Sequence, residues 1–326
     1  MYNNKPTQFF SISQEIDEKL GDTLSFIWAN YAGFRDMWWQ VRGFKNAFPD
    51  THVSKVNDKF FSGLPMPGGV DLNKMCLETE WQQHEQEYSK WMLLEACTMY
   101  EGWAEAICEL VFTASSNKNK RKYIKALQFP SGTDSNANAT GYPVAVAAAN
   151  ANLSNFVESQ FFQQLKLAKL NKWQNINSFL TVYRYFKECR NGFIHSDGIV
   201  TDKIKDLHTQ ILTIQSSNSP FDKDYSLGSC NVGDKIMLSM SDCIKFNALV
   251  RNLIATFDAA LCVQSSTESY IKSRVNDVLK SSGKWNLPSA QEKRLKKVHR
   301  ILVAARLPEP KQIQTVHDWL VSENVI

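Results

Sequence analysis

The chain has 326 residues, of which 43% are hydrophobic and 12% aromatic, with a formal net charge of +4. This excludes a disordered chain and leaves ample core for one large or two modest domains, while the charge is too small to name a partner. No run of about 18 apolar residues is present, which excludes a helical membrane span, and residues 1–21 lack a basic start followed by an apolar run, so no signal peptide is expected.

Residues 1–80 read as an N-terminal helical region. Ser11-Ile12-Ser13-Gln14 has the form of a capping box. The helix after it carries Ile16, Leu20, Leu24, Ile27, Trp28 and Tyr31 and extends toward Met37-Trp38-Trp39, a face expected to pack in a core or on a partner. Pro49-Asp50 and Leu64-Pro65-Met66-Pro67-Gly68-Gly69 mark loops. Residues 78–114 form one long helix with Trp91, Leu94, Cys97, Tyr100, Trp103, Ala104, Ile107, Leu110 and Val111 as its apolar face. Glu101, Glu105 and Glu109 repeat every four residues as a solvated stripe. His84-Glu85-Gln86-Glu87 lacks the spacing of a zinc-binding helix.

Lys118, Lys120, Arg121 and Lys122 lie in the densest basic run, with Tyr123 beside them. Such a patch engages RNA through phosphates and stacking, or is simply a solvated helix start. Residues 130–152 are small, polar and poor in charge, and read as an exposed loop insertion. Asn155 with Glu158 signals a new helix start ahead of a Lys-rich stretch at 166–172. The seven cysteines (76, 97, 108, 189, 230, 243 and 262) form no CxxC pair and read as reduced thiols of an intracellular, cytoplasmic protein.

Residues 179–198 hold the arrangement best suited to chemistry. Phe179, Val182, Tyr183, Phe186, Cys189 and Phe193 recur at helical spacing, with Asn177 or Ser178 placed to cap the start and Gly198 to end the helix in the left-handed region. Asn191 and His195 are four apart and share a face, with Arg190 flanking them. Gly192 leaves the surface between them bare, so another backbone or a substrate can come close. His195 falls in the last turn, where the helix dipole favours imidazolium and acid–base work near neutral pH. Arg190 suits a phosphate, which a guanidinium grips with two hydrogen bonds.

Arg190-Asn191-x-x-x-His195 resembles the R-x(4–6)-H signature of the HEPN superfamily, in the version with Asn after the Arg. The strong match covers about twenty residues, with a looser likeness from the helix near Trp91 to the one ending near Cys262. The resemblance implies an all-α, HEPN-like helical bundle over residues 81–265. It also implies a metal-independent endoribonuclease, without cofactor, of toxin or antiphage systems. Two protomers would join their motif helices into one cleft for RNA, a tRNA loop being one form of substrate, and a regulatory protein partner would hold the enzyme in check. Thr98-Met99-Tyr100-Glu101-Gly102-Trp103 resembles the early helix of the family, whose acid lies near the Arg/His pair, and this adds Glu101 to the site. The alternative is a non-catalytic binding module in which Arg190 pairs with Glu188 or Asp197.

After the motif, residues 199–214 read as a short helix or extended connection, with His208 at the surface. Residues 230–238 read as a hairpin or strand entry, and residues 239–263 as a buried helix. Residues 266–326 form a basic helical appendage behind a boundary at Lys284-Trp285-Asn286-Leu287-Pro288. Its helix 291–300 carries Lys293, Arg294, Lys296, Lys297, His299 and Arg300, and it can contact RNA, a partner or the bundle.

Overall fold

The computed structural model describes residues 6–61, 71–281 and 288–326. The protein is all-α: thirteen helices and one two-stranded ribbon occur among the described residues. The centre is α10 (Met240–Leu261) lying on α3 (Trp81–Val111), with α1 (Ser11–Ala47) and α8 (Ile176–His195) packed against both. From Leu249 to Leu261 almost every residue of α10 is buried, as expected of a helix that is apolar all round. Ser239 starts it by accepting the Asp242 N–H at 3.0 Å, the usual role of a serine just before a helix.

The long helices at 78–114 and 239–263 match α3 and α10 in place and type. On α3 the inner stripe of Cys97, Tyr100, Trp103, Ala104, Ile107 and Val111 is buried, while Trp91 and Leu110 sit at its edge, each 36% exposed. α1 runs 37 residues without a break, about 55 Å, and so outreaches the main core. Its far half buries Trp38 and Val41 in a second cluster with Val56, Leu72 and Cys76. Val56 comes from α2 (Val53–Phe60), Cys76 from the wide turn at Lys74–Glu78, and Leu72 from just before that turn. Trp28 and Trp39, at 47% and 60% exposure, point outward rather than into either core.

The start of α1 departs from the capping box. Phe10 precedes the first helical residue and its side chain accepts nothing. Asp258 of α10 accepts the backbone N–H groups of Phe9 and, at 3.1 Å, Phe10. Ser13 Oγ accepts from Trp103 Nε1 at 2.9 Å, and Gln14 donates to the carbonyls of Gln8 and Arg306. Burial pushes the Asp258 carboxyl up to about 7, against the opposing pull of Ser13 and the two N–H groups.

Residues 130–152 are only in part a loop: 131–139 are exposed as expected of an insertion, but 143–150 are helical. After α4 (Asn117–Ala126), a ribbon of Gly132–Thr133 with Ala139–Thr140 turns on Asp134, and α5 (Pro143–Asn150) follows. Ala145 and Ala149 are fully buried: the small side chains that suggested a loop instead allow α5 to approach α4 and α10. A broken helical run, α6 (Asn155–Val157) and α7 (Gln163–Lys166) around a wide turn, leads on to α8. Residues 199–214 become α9 (Asp202–Asn218), and His208 is buried, with Nε2 2.9 Å from the Gly228 carbonyl, not at the surface. Its ring sits near Tyr185 of α8, which it helps to cover.

The C-terminal helices α11 (Ser266–Ser281), α12 (Gln291–Ala304) and α13 (Ile313–Ser322) send Val275, Ile301, Leu302 and Leu320 into the main core. Trp319 stacks on Phe156 at 4.2 Å. The loop read at Leu64-Pro65-Met66-Pro67-Gly68-Gly69 and the boundary at 284–287 lie outside the described residues. The seven cysteines are free thiols, and burial pushes Cys97 and Cys108 up to about 12. Among the described residues, no helix is long and apolar enough to cross a membrane, and no group of His, Cys, Asp or Glu is arranged to hold a metal.

Asp258→Asn replaces one accepting oxygen by a donor facing an N–H, and is expected to cost about 1–3 kcal/mol in urea unfolding. The raised carboxyl also fixes a sign. Its contribution is fully present below the ordinary value of 3.8 and is lost as pH rises through about 7. Stability should therefore fall from pH 5 to pH 8 more steeply in the wild type than in Asp258→Asn.

Candidate active site

α8 is held on nearly all sides. Phe179, Val182, Tyr183, Phe186 and Cys189 are buried as the spacing predicts, and so are Thr181, Arg184 and Tyr185. Its start is not capped by Asn177 or Ser178. A single tight turn at Trp173–Asn175 leads in, and Asn177 Oδ1 accepts the Ser131 N–H at 2.8 Å instead. The spare donor of the hairpin outcompetes a local cap.

The other end closes as a left-handed hook. Gly198 has φ +69°, and its N–H donates to the Gly192 carbonyl at 3.0 Å. The segment before α10 then clamps the hook: Ile236 N–H donates to Gly198 O at 2.7 Å and Val200 N–H to Asp234 O at 2.9 Å. Residues 230–238 therefore form no hairpin of their own but pair with the hook by a single bridge, Ile199 with Lys235. This clamp also corrects the reading of Gly192, which is buried and not bare. A Cβ there would lie 2.6 Å from Ile236 Cδ1. The close approach that glycine permits is taken up by the chain itself.

Arg190 and Asn191 are half-buried and His195 is exposed. Arg190 Nη1 donates to Asn191 Oδ1 at 3.1 Å. Adjacent helical residues do not face each other, so this bond is the long arginine side chain reaching sideways. Arg190 Nε is buried without a partner. His195 has no hydrogen bond or ion pair among the described residues.

Around them lies a seam between α3 and α8. Glu101 pairs with Lys187 at 2.7 Å, and Lys187 also donates to Gln128 Oε1. The Glu101 contact is one of charge without hydrogen-bond geometry, since its Oε1 is buried and accepts none. One turn back, Glu188 holds Arg184 and, at 2.9 Å, Lys203, and the Arg184 guanidinium lies 4.1 Å over the Phe129 ring. Burial pushes the Cys97 thiol up, and the charges of Glu101, Arg190, Lys187 and Arg184 are also felt there. Among the described residues the four cations Arg184, Lys187, Arg190 and Lys203 thus stand against Glu101 and Glu188, and Arg190 is the one with no acid.

Of the sequence-based candidates, Arg190, Asn191 and Glu101 share this seam, while His195 stands one turn further out. Lys118, Arg121 and Lys122 are exposed on α4, but Lys120 is held by Glu109 of α3. Glu105 and Glu109 are exposed as the solvated stripe predicts, with Glu109 reaching Lys120, whereas Glu101 is drawn in by Lys187. The sequence reading passed over Lys187, Arg184 and Gln128. Lys187 carried a signal, being three residues before Arg190 and so on the same face.

Comparison with known proteins adds no relative: no family model, curated protein or solved structure matches the chain. The site therefore stands on its own geometry. Beside the end of α8 runs an open groove of about 1480 Å³ between Lys90, Trp91 and Leu94 of α3 and Phe193, Ile194 and Asp197. Arg190, Asn191 and His195 do not line it.

The filled space at Gly192 yields a coupling. Gly192→Ala forces Ile236 aside, whereas Ile236→Val removes the obstructing Cδ1 and leaves alanine its helix propensity, about 1 kcal/mol. In a double-mutant cycle, Gly192→Ala should be at least about 1 kcal/mol less unfavourable in the Ile236→Val background.

Proposed function

We propose that the protein is a metal-independent endoribonuclease working through Arg190, Asn191 and His195, in the setting of toxin-type growth control or antiphage defence. The observation that carries this reading is the lack of acidic partners. Arg184, Lys187 and Lys203 are each paired with a carboxylate, whereas among the described residues Arg190 is bonded to Asn191 and to no acid. Glu188 is engaged by Arg184 and Lys203, and among the described residues no ion pair joins Arg190 to Glu188 or Asp197, so neither supplies the structural partner that an inert Arg190 would have.

In this mechanism the ribose 2′-hydroxyl loses its proton to a His195 imidazole and its oxygen bonds to phosphorus. The bond to the 5′-oxygen breaks, and a second imidazole returns a proton to that leaving oxygen. The products are a 2′,3′-cyclic phosphate and a 5′-hydroxyl. Arg190 stabilises the charge that grows on the non-bridging oxygens, and Asn191 holds the guanidinium in place. One protomer offers one histidine, so the second comes from a second copy of the chain. Lys118, Arg121 and Lys122 would guide the RNA by its phosphates.

A second reading, a non-catalytic helical binding module, is favoured by one observation: the large groove passes Phe193 and Ile194 but not the motif side chains. Cleavage of total RNA in EDTA separates the two. Under the first reading, wild-type protein cuts, and His195→Ala and Arg190→Ala each lose about 10²–10⁴-fold in rate with folding intact. Arg190→Lys does not rescue, because a point charge cannot replace the planar fork. Glu101→Gln, already engaged by Lys187, loses less than about tenfold. Equal cutting by wild type and His195→Ala would end the proposal.

A further inference from the structure

The basic face of helix α12 is absorbed neither by the core nor by the site on α8. Lys293, Lys296, Lys297 and Arg300 stand at the i, i+3, i+4 and i+7 positions of one helical face. Together they line an open pocket of about 540 Å³ whose floor is Val278 of α11 with Ile301 and Ala304. Lys293, Lys296 and Arg300 are exposed. The opposite side of α12, Val298 and Leu302, is buried in the main core to within 1%. The helix is fixed at its start, where Arg294 donates to the Ser289 carbonyl at 2.8 Å. The acid on the helix, Glu292, pairs with Lys296, but both side chains are largely exposed, and such a surface pair contributes little.

We infer that this pocket binds single-stranded nucleic acid by its phosphates, with the apolar floor receiving a base. Four cations fall within about 10 Å of helix axis. That density is comparable with the phosphates along one nucleic-acid strand, one per about 3.4 Å in a duplex. A membrane surface does not fit, because an interfacial helix inserts its apolar face and that of α12 is already spent in the core. An acidic protein fits less well, because protein surfaces mix both signs. The concave floor favours a single strand, whose bases are free to turn inward. The inference goes beyond α8 and holds whether or not that helix cuts RNA.

The test is fluorescence anisotropy with labelled 20-nucleotide poly(U) and poly(dT), in EDTA, using full-length protein carrying His195→Ala so that cleavage plays no part in the readout. A failed nuclease assay and a failed binding assay are then separate results. Adding Lys293→Gln, Lys296→Gln and Arg300→Gln should weaken binding about tenfold or more near 100 mM salt and reduce the salt slope by about 2. The same positions changed to Arg, Arg and Lys should keep both. Glutamine is nearly as good a helix former as lysine, so an unchanged melting temperature certifies the fold. Unchanged affinity and slope in the glutamine variant would overturn the inference. So would binding of poly-glutamate as tight as that of RNA and lost alike, which would make the surface a site for an acidic protein.

Discussion

A carboxylate shut away from water ties the first turn of the chain to the last of its long helices. Asp258 sits in the middle of an apolar helix, where an unpartnered charge would be costly. It stays because the chain brings it two backbone N–H groups and, through Ser13, a hydroxyl. The same groups at the start of α1 have no local acceptor, since Phe10 stands where a serine or aspartate is wanted. Two liabilities 248 residues apart cancel, and neither can be relieved unless α1 and α10 meet in one register. Once they do, Trp103 reaches Ser13, and α3 is fixed against both.

That register places α8. With α3 and α10 set, the aromatic stripe from Phe179 to Phe186 has one slot, and Tyr183 and Phe186 fill it against Tyr100 and Phe246. The polar side of α8 is then held by charge along the seam, Lys187 with Glu101 and Glu188 with Arg184. These pairs are partly buried, and removing one partner would leave a charge stranded at large cost. Their main effect at the site is geometric. They engage Glu101 and Glu188, and so leave Arg190 held in place without either acid.

Much of this was legible in the sequence where burial is one-sided and periodic. Cys243, Phe246, Leu249, Val250 and Leu253 announce α10, and Gly198 announces the left-handed end of α8. What failed were readings that a distant segment decides. Gly192 looks bare on a helical wheel, but Ile236, 44 residues on, fills it. Residues 130–152 look like a loop because alanine carries little hydrophobic signal, yet small side chains let a helix pack closely. Ser11-Ile12-Ser13-Gln14 spells a cap, but the partners of Ser13 and Gln14 lie elsewhere in the fold. His208 shares the buried face of Ile204 and Ile211, a periodic signal that a polar residue hides, and the Gly228 carbonyl gives its ring a partner there. The motif Arg190-Asn191-x-x-x-His195 was legible as spacing, and so was Glu188 as an acid that could silence Arg190, but its prior engagement by Arg184 and Lys203 was not.

The two halves of the motif occupy different surroundings, and that difference bears on how the site works. Arg190 is rooted in the seam, with Nε out of water and Nη1 fixed by Asn191, so its position is set before any ligand arrives. Preorganisation of this kind is what a group stabilising transition-state charge requires. His195 is exposed on the last turn, held by backbone alone through the Gly192–Gly198 hook and its clamp at Ile236. An imidazole in open water exchanges protons freely but directs none of them. For the pair to act as one site, something must cover His195 and exclude solvent on that side. In the proposed ribonuclease an RNA would do so, as would a second copy of the chain bringing its own α8 end. The open face of His195 is thus the side from which the site has to be completed, while Arg190 is already in place.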